Sequence, residues 1–246
     1  MKILVTRPSP AGEQLVNSLR THGKDAWHFP LIKFLPGKDL PHLLQRLAEL
    51  ISGDLLFIIS QHAIDYAHSY LKQQGATWPP ELCYYTIGRS TGLHLHELSG
   101  LPVNYSDKGN TSEDLLRLPA LADINGKRAH ILRGNGGRKI LEQTLRQRGV
   151  HTTYCECYRR SPIHYNSEEQ SQHLKSLDID TLVITSGEML QQFYTLMPDD
   201  YRHACLTQCR LIVVSKRLAM FASHLGWLDI VVANAADNDA LMNVLL

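Results

Sequence analysis

The chain repeats itself at an offset of 126 residues, and that constrains its fold more than any other feature. Arg7 falls on Arg133, Leu15 on Leu141, Leu19 on Leu145, Arg20 on Arg146 and Gly23 on Gly149. Further along, Asp54 falls on Asp180, Leu56 on Leu182, Ile58 on Ile184, Ser60 on Ser186, Cys83 on Cys209 and Leu115 on Leu241. None of these matches needs a gap. The period is far too long for a solenoid, so the chain reads as two related units.

Each half starts with a short apolar strand, at residues 2–6 and 128–132. A turn of small residues follows, then an amphipathic helix with Leu15, Val16 and Leu19, or Ile140, Leu141 and Leu145, on one face. Gly23 and Gly149 stand where helix C-caps belong. Leu40, Leu43, Leu44, Leu47 and Leu50 have helical spacing. Residues 54–59 and 180–185 are apolar runs bounded by polar residues, as buried parallel strands are. Ser60 and Ser186 follow them at N-cap positions. Strands are also expected at 84–87 and 211–214, each leading into a helix. Strand–helix alternation throughout implies parallel sheets of an α/β protein. The segments 29–34 and 153–160 break the pattern: both read as extended, with no helix behind them, and look like connections between two bodies.

Composition removes several function classes. Of 246 residues, 25 are Lys or Arg and 24 are Asp or Glu, a net charge of +1. No long-range field favours nucleic acid or a membrane surface. No apolar run approaches the ~18 residues of a transmembrane helix, and the apolar start stops at Arg7, too short for a signal peptide. Five cysteines, at 83, 155, 157, 205 and 209, form no framework spacing and read as reduced thiols in a cytoplasmic protein. Cys155 and Cys157 would share a strand face and Cys205 and Cys209 a helix face, but the spacings fit no zinc knuckle, so no metal site is expected. His94 and His96, two apart on a helix, point to different faces.

In a parallel α/β sheet ligands sit beyond the carboxyl ends of the strands. The residues there include Arg7, Ser60, Arg89, Thr91, Arg133, Arg138, Thr185, Ser186, Ser215 and Lys216. They are short of acids and rich in hydroxyls, cations and nearby glycines, which suits an anionic ligand. The run Arg133-Gly134-Asn135-Gly136-Gly137-Arg138 resembles a phosphate loop. It lacks the Gly-Lys-Ser/Thr ending of a nucleotide P-loop and the spacing of a dinucleotide site, which argues against a nucleotide-dependent enzyme. No Gly-x-Ser-x-Gly elbow surrounds Ser60 or Ser186, so these read as caps before nucleophiles. Tyr158, beside Arg159 and Arg160, could face a cleft or be an ordinary strand aromatic.

Taken in order, residues 3–12, 27–31, 54–60, 131–138, 155–159, 183–189 and 236–241 resemble the uroporphyrinogen-III synthase family, most closely its enterobacterial form. The likeness runs from end to end. It implies two similar parallel-sheet α/β domains joined by a two-stranded linker, with the active site in the interdomain cleft. It also moves the domain boundary away from residue 126. The first domain is expected to be discontinuous, residues 1–34 plus 165–246, and the second to be residues 40–155. Linker strands would occupy 35–39 and 156–164.

The family dehydrates and cyclises hydroxymethylbilane, a linear tetrapyrrole with eight carboxylates, and inverts its last pyrrole ring to give uroporphyrinogen III. It uses no metal or other cofactor. The family's tyrosine maps onto Tyr158, where it would help the hydroxyl leave. Ser60, Thr91, Thr185, Ser186 and Ser215 fall on substrate-binding positions, although Ser215 stands where the family commonly has Gly. Arg7, Arg133 and Arg138 are expected to meet carboxylates, from charge and position. The expected protein is a cytoplasmic monomer that touches the enzyme making hydroxymethylbilane only in passing, with no nucleic-acid or membrane partner. A non-catalytic two-domain sensor of an anionic metabolite is the alternative.

Overall fold

The computed structural model describes residues 1–246, the side chains of Leu206 and Thr207 excepted. In chain order the strands are β1 (Lys2–Val5), β2 (Asp25–His28), β3 (Ile32–Pro36), β4 (Leu55–Ile58), β5 (Cys83–Thr86), β6 (Val103–Asn104), β7 (Arg128–Gly134), β8 (His151–Pro162), β9 (Thr181–Val183), β10 (Arg210–Val213) and β11 (Ile230–Val232). The helices are α1 (Ala11–Thr21), α2 (Leu43–Ala48), α3 (Gln61–Gln73), α4 (Arg89–Ser99), α5 (Ser112–Leu115), α6 (Ile140–Gln147), α7 (Ser167–Leu177), α8 (Gly187–Leu196), α9 (Asp199–Gln208), α10 (Lys216–His224) and α11 (Asn238–Leu245). The leucine-rich stretch from residue 40 is not one helix. Pro41 sits in a 3₁₀ turn, Leu40–His42, and α2 starts only after it, because proline lacks the N–H that a helix interior requires.

The chain forms two compact units, residues 1–33 with 161–246 and residues 34–160. The first holds a five-stranded sheet ordered β11-β10-β9-β1-β2. The second holds a six-stranded sheet ordered β3-β8-β7-β4-β5-β6. Segments 35–39 and 156–164 run through and just beyond β3 and β8. Gly37 N donates to Cys157 O at 2.9 Å and Ile163 N to Leu31 O at 2.8 Å, so these two strands run antiparallel. The other strand pairs are parallel.

The repeat explains the two sheet orders. At the offset of 126, β1 and β2 correspond to β7 and β8, and β4, β5 and β6 correspond to β9, β10 and β11. Replacing each strand by its mate turns the first order into β6-β5-β4-β7-β8. Each unit therefore takes the front of one repeat and the back of the other. The central registers agree residue for residue: Ile3 faces Thr181 and Ala129 faces Leu55, while Lys2 faces Asp25 and Arg128 faces His151. A matched pair of carboxylates marks the exchange. Asp180 accepts from Lys2 N at 3.0 Å and Asp54 accepts from Arg128 N at 3.0 Å.

Both sheets are covered on both faces. In the second unit Leu55 and Phe57 point to α5 and α6, while Leu56 and Ile58 point to α2, α3 and α4. In the first, Leu4 and Leu182 meet α7 to α10, and Ile3 and Val5 meet α1 and α11. Gly23 and Gly149, at φ 73° and 77°, end α1 and α6 in the left-handed region that a side chain would strain. No helix among the described residues is long and apolar enough to cross a membrane.

Two stability outcomes follow. Asp54 is 5% exposed and also accepts from Ile51 N at 3.0 Å, whereas the Asp180 side chain is 51% exposed. Asp54→Ala removes the acceptor of two part-buried N–H bonds, each worth about 0.5–1.5 kcal/mol, while water replaces the Asp180 carboxylate. Thermal melting should drop by several degrees for Asp54→Ala and less for Asp180→Ala. The second outcome concerns acid. His130 is 4% exposed, and its Nε2 lies 2.6 Å from Arg46 O. Burial holds its pKa below the ordinary 6.5, against the opposing pull of that carbonyl and Glu49. The unfolded chain then takes up a proton that the folded one refuses. Stability is full above pH 6.5 and falls as pH drops toward the lowered value. Urea midpoints between pH 7.5 and 5 should slope less in His130→Gln than in the wild type.

Candidate functional site

β8 carries an irregularity that decides where Tyr158 points. Its register against β7 is regular from Arg128–His151 to Arg133–Glu156, then skips, so that Gly134 faces Tyr158. Cys157 is the extra residue of a β-bulge. Cys155 and Cys157 lie on the α3 side of the sheet, their Sγ atoms 3.7 Å apart. Plain alternation would send Tyr158 to the opposite face, with Tyr154. The bulge turns it back, and Tyr158 sits 7% exposed in the same apolar cluster as the two cysteines.

There it meets Ser60. Ser60 caps α3, accepting from Ala63 N at 3.3 Å, and its Oγ shares a hydrogen bond with Tyr158 Oη at 3.2 Å. Three more rings enclose the phenol: Phe34 edge-on at 5.7 Å, His62 tilted at 5.5 Å and Tyr66 stacked at 6.0 Å between centroids. His62 also lies 3.9 Å from Phe34. Burial, with help from Arg160, lowers the His62 pKa against the pull of Asp65. Burial and Asp65 raise that of Tyr66. Gly134 closes the other side. A Cβ there would lie 2.6 Å from Tyr158 Cζ and 3.0 Å from Oη.

The opposite face of the same sheet holds a cavity of about 250 Å³. Arg133 and Arg138 line it with Asn110 and Thr111, over apolar walls that include Ile131 and Leu141. Arg133 is 8% exposed, its Cζ 4.7 Å from the Tyr154 ring centroid and its Nε donating to Gly134 O at 3.3 Å. Gly137, at φ 105°, passes so close that a Cβ would lie 2.8 Å from Arg133 Nη2. Arg138 is 74% exposed and pairs with Glu113 at 3.2 Å. Thr91 is buried in the first turn of α4.

In the first unit, Ser186 and Ser215 cap α8 and α10, accepting from Met189 N and Leu218 N, each at 3.2 Å. Ser60, Ser186 and Ser215 share one extended backbone geometry. Thr185 stands half-buried just after β9. Arg7 donates to Asn238 Oδ1, and its carbonyl lies 2.8 Å from His28 Nε2. Burial lowers its pKa, against the charge of Asp237. Its cation is thus partly committed to the start of α11.

The cysteines are all free. Among the described residues no three His, Cys, Asp or Glu side chains gather as metal ligands. His94 lies 2.6 Å from Asp65, and His96 turns to Leu101 O. Sequence reasoning passed over His62 and Tyr66, and did not tie Phe34 or Gly134 to Tyr158. The available signal was a Gly opposite a strand tyrosine, which becomes visible only once the register is known.

A family model described as "Uroporphyrinogen-III synthase HemD" matches residues 13–243. The chain is 54% identical over 245 residues to the uroporphyrinogen-III synthase of Escherichia coli (strain K12), with all of both chains covered. It is 52% identical to that of Salmonella typhimurium, again over the full length of both. Among solved structures it is similar in fold to a mutant uroporphyrinogen III synthase from the extremely thermophilic bacterium Thermus thermophilus. The TM-score is 0.63 at 17% identity, over 99% of this chain and 97% of that one. The enzyme from Helicobacter pylori 26695 gives 0.61 at 15% identity, with the same coverage.

Alanine at position 134 tests the packing that aims Tyr158. Gly134→Ala should displace the ring, at the ~1–3 kcal/mol typical of overpacking. With ¹³C-labelled tyrosine, the Tyr158 ring signals should move most among the 10 tyrosines, and the melting temperature should fall by a few degrees.

Proposed function

The chain belongs to the uroporphyrinogen-III synthase family, and from that premise we propose how its residues carry the reaction. The substrate is hydroxymethylbilane and the product uroporphyrinogen III. The enzyme is a cyclising hydro-lyase of tetrapyrrole biosynthesis. The observation that carries this reading is identity above one half over the full length of enterobacterial relatives of that name.

Tyr158 donates its phenolic proton to the terminal hydroxyl of the substrate. The C–O bond breaks, water leaves with that electron pair, and a pyrrole nitrogen lone pair fills the gap to give an azafulvene cation. The substituted carbon of the last ring attacks it to form a spiro intermediate, which fragments and recloses with that ring inverted. The net reaction loses only water. The proton lent by Tyr158 therefore returns when the last ring regains its aromaticity. A phenol O–H is a hydrogen-bond donor that can pass a proton to a leaving oxygen. Its placement beside neutral aromatic rings and a hydroxyl supports the role. Arg133, Arg138 and Arg7 provide cations for some of the eight carboxylates. The hydroxyls of Ser60, Thr91, Thr185, Ser186 and Ser215 are the remaining binding candidates. Arg133 is the strongest of the arginines, because it is held over Tyr154 and lines a cavity, and a desolvated cation pairs more strongly than an exposed one.

The substrate also closes unaided, to the symmetric isomer I. Rapid delivery is therefore valuable, which supports transient contact with the enzyme that makes hydroxymethylbilane; a cytoplasmic monomer remains part of the proposal.

The test uses freshly made hydroxymethylbilane and separates the product isomers over time. Wild type should give the type III isomer. Tyr158→Phe keeps the ring and should form it ~10²–10⁴-fold more slowly while isomer I accumulates. A type III rate within twofold of wild type at equal folded concentration leaves Tyr158 as a wall of the site. Isomer I alone from the wild type favours the sensor reading.

A further inference from the structure

We propose that Ser60 is a positioning residue for Tyr158: its hydroxyl lies against Tyr158 Oη and gives that oxygen its hydrogen as the phenol's own proton passes to the substrate. The inference rests on the reading of Tyr158 as proton donor.

Ser60 Oγ has one hydrogen and two lone pairs. Ala63 N–H can only donate, so at 3.3 Å it takes a lone pair. The hydrogen and the second lone pair both remain for Tyr158 Oη, 3.2 Å away, so the bond can run either way while the phenol keeps its proton. Once substrate takes that proton, Ser60 is the partner in this bond that still has a hydrogen to give. When that O–H bond breaks, the electron pair stays on Oη, where the Ser60 hydrogen meets it. The bond becomes charge-assisted at that moment, roughly twice as strong as before. Ser60 also stands at the start of a 13-residue helix, whose positive end favours the same negative charge. The bonds to Ala63 and Tyr158 share one oxygen, so helix α3 fixes the serine and the serine fixes the phenol. Gly134 presses on the far side of the ring, leaving Oη little freedom to turn away.

This is a different role from binding substrate. An interaction that strengthens only as the proton leaves lowers kcat and kcat/KM together when removed, whereas a binding contact raises KM. It also works only through the phenol oxygen, so it vanishes with that oxygen.

The experiment is a double-mutant cycle on the full chain with hydroxymethylbilane, scoring the rate of the type III isomer, KM and the melting temperature. Ser60→Ala loses the cap as well as the donor. Ser60→Gly is run beside it, because glycine is tolerated at an N-cap nearly as well as serine. Ser60→Thr retains the hydroxyl. The expected result is a loss of kcat of roughly 10–100-fold in Ser60→Gly and Ser60→Ala, from the worth of one charge-assisted bond. KM should stay within about threefold, and Ser60→Thr should restore most of the rate. In the Tyr158→Phe background, Ser60→Gly should cost nothing further. A rate loss in Ser60→Gly that persists undiminished in that background overturns the inference, as does a change confined to KM. If Tyr158→Phe is slow while Ser60→Gly matches wild type, the inference fails and Tyr158 stands. If Tyr158→Phe matches wild type, the reading of Tyr158 fails first.

Discussion

The pairing of β4 with β7, and of β1 with β9, is the constraint on which both sheets depend. Each pair joins the back of one repeat to the front of the other. A strand slipped by one residue would turn its whole apolar set to the wrong face, so both pairs need a fixed start. Asp54 and Asp180 supply it by holding the first N–H of β7 and of the β1 strand. From there Leu56, Ile58 and Leu132 are committed to the α3 side, and Leu55, Phe57 and Ile131 to the α6 side. The placement of Ser60 and Arg133 follows, since each lies at the carboxyl end of its strand or just beyond.

The division into faces separates two kinds of chemistry within the second unit. On the α3 side stand a phenol, a serine and neutral rings. On the α6 side stand two arginines over apolar walls. The bulge at Cys157 is what produces the separation. Without it Tyr158 would follow Tyr154 to the arginine side, where a guanidinium already lies over one ring.

Much of this was legible in the residues alone. The offset between Arg7 and Arg133, or Ser60 and Ser186, revealed two related units, and the position of the serines after apolar strands revealed caps. The exchange of halves was not legible from the repeat, which by itself favours a cut near residue 126. Pairing between distant strands leaves no mark in local periodicity. It entered through the family resemblance. The bulge was equally silent. Cys155, Cys157 and Tyr158 follow a strand pattern that puts the tyrosine on the wrong face, and only the partner strand shows the skipped residue. Arg133 read as a rim cation. Its burial depends on Tyr154, on the neighbouring strand, and on the close passage of Gly137.

The surroundings of Tyr158 carry the final step. Desolvation raises the pKa of Tyr66, close by, and lowers that of His62, so the pocket around the ring disfavours charge on these neighbours. Low local dielectric strengthens whatever hydrogen bond the Tyr158 oxygen has as its proton leaves. Ser60, at the start of α3, lies within hydrogen-bond distance of Tyr158 Oη. A single hydroxyl, held by the helix it caps, lets an apolar pocket serve as the place where a proton leaves and returns.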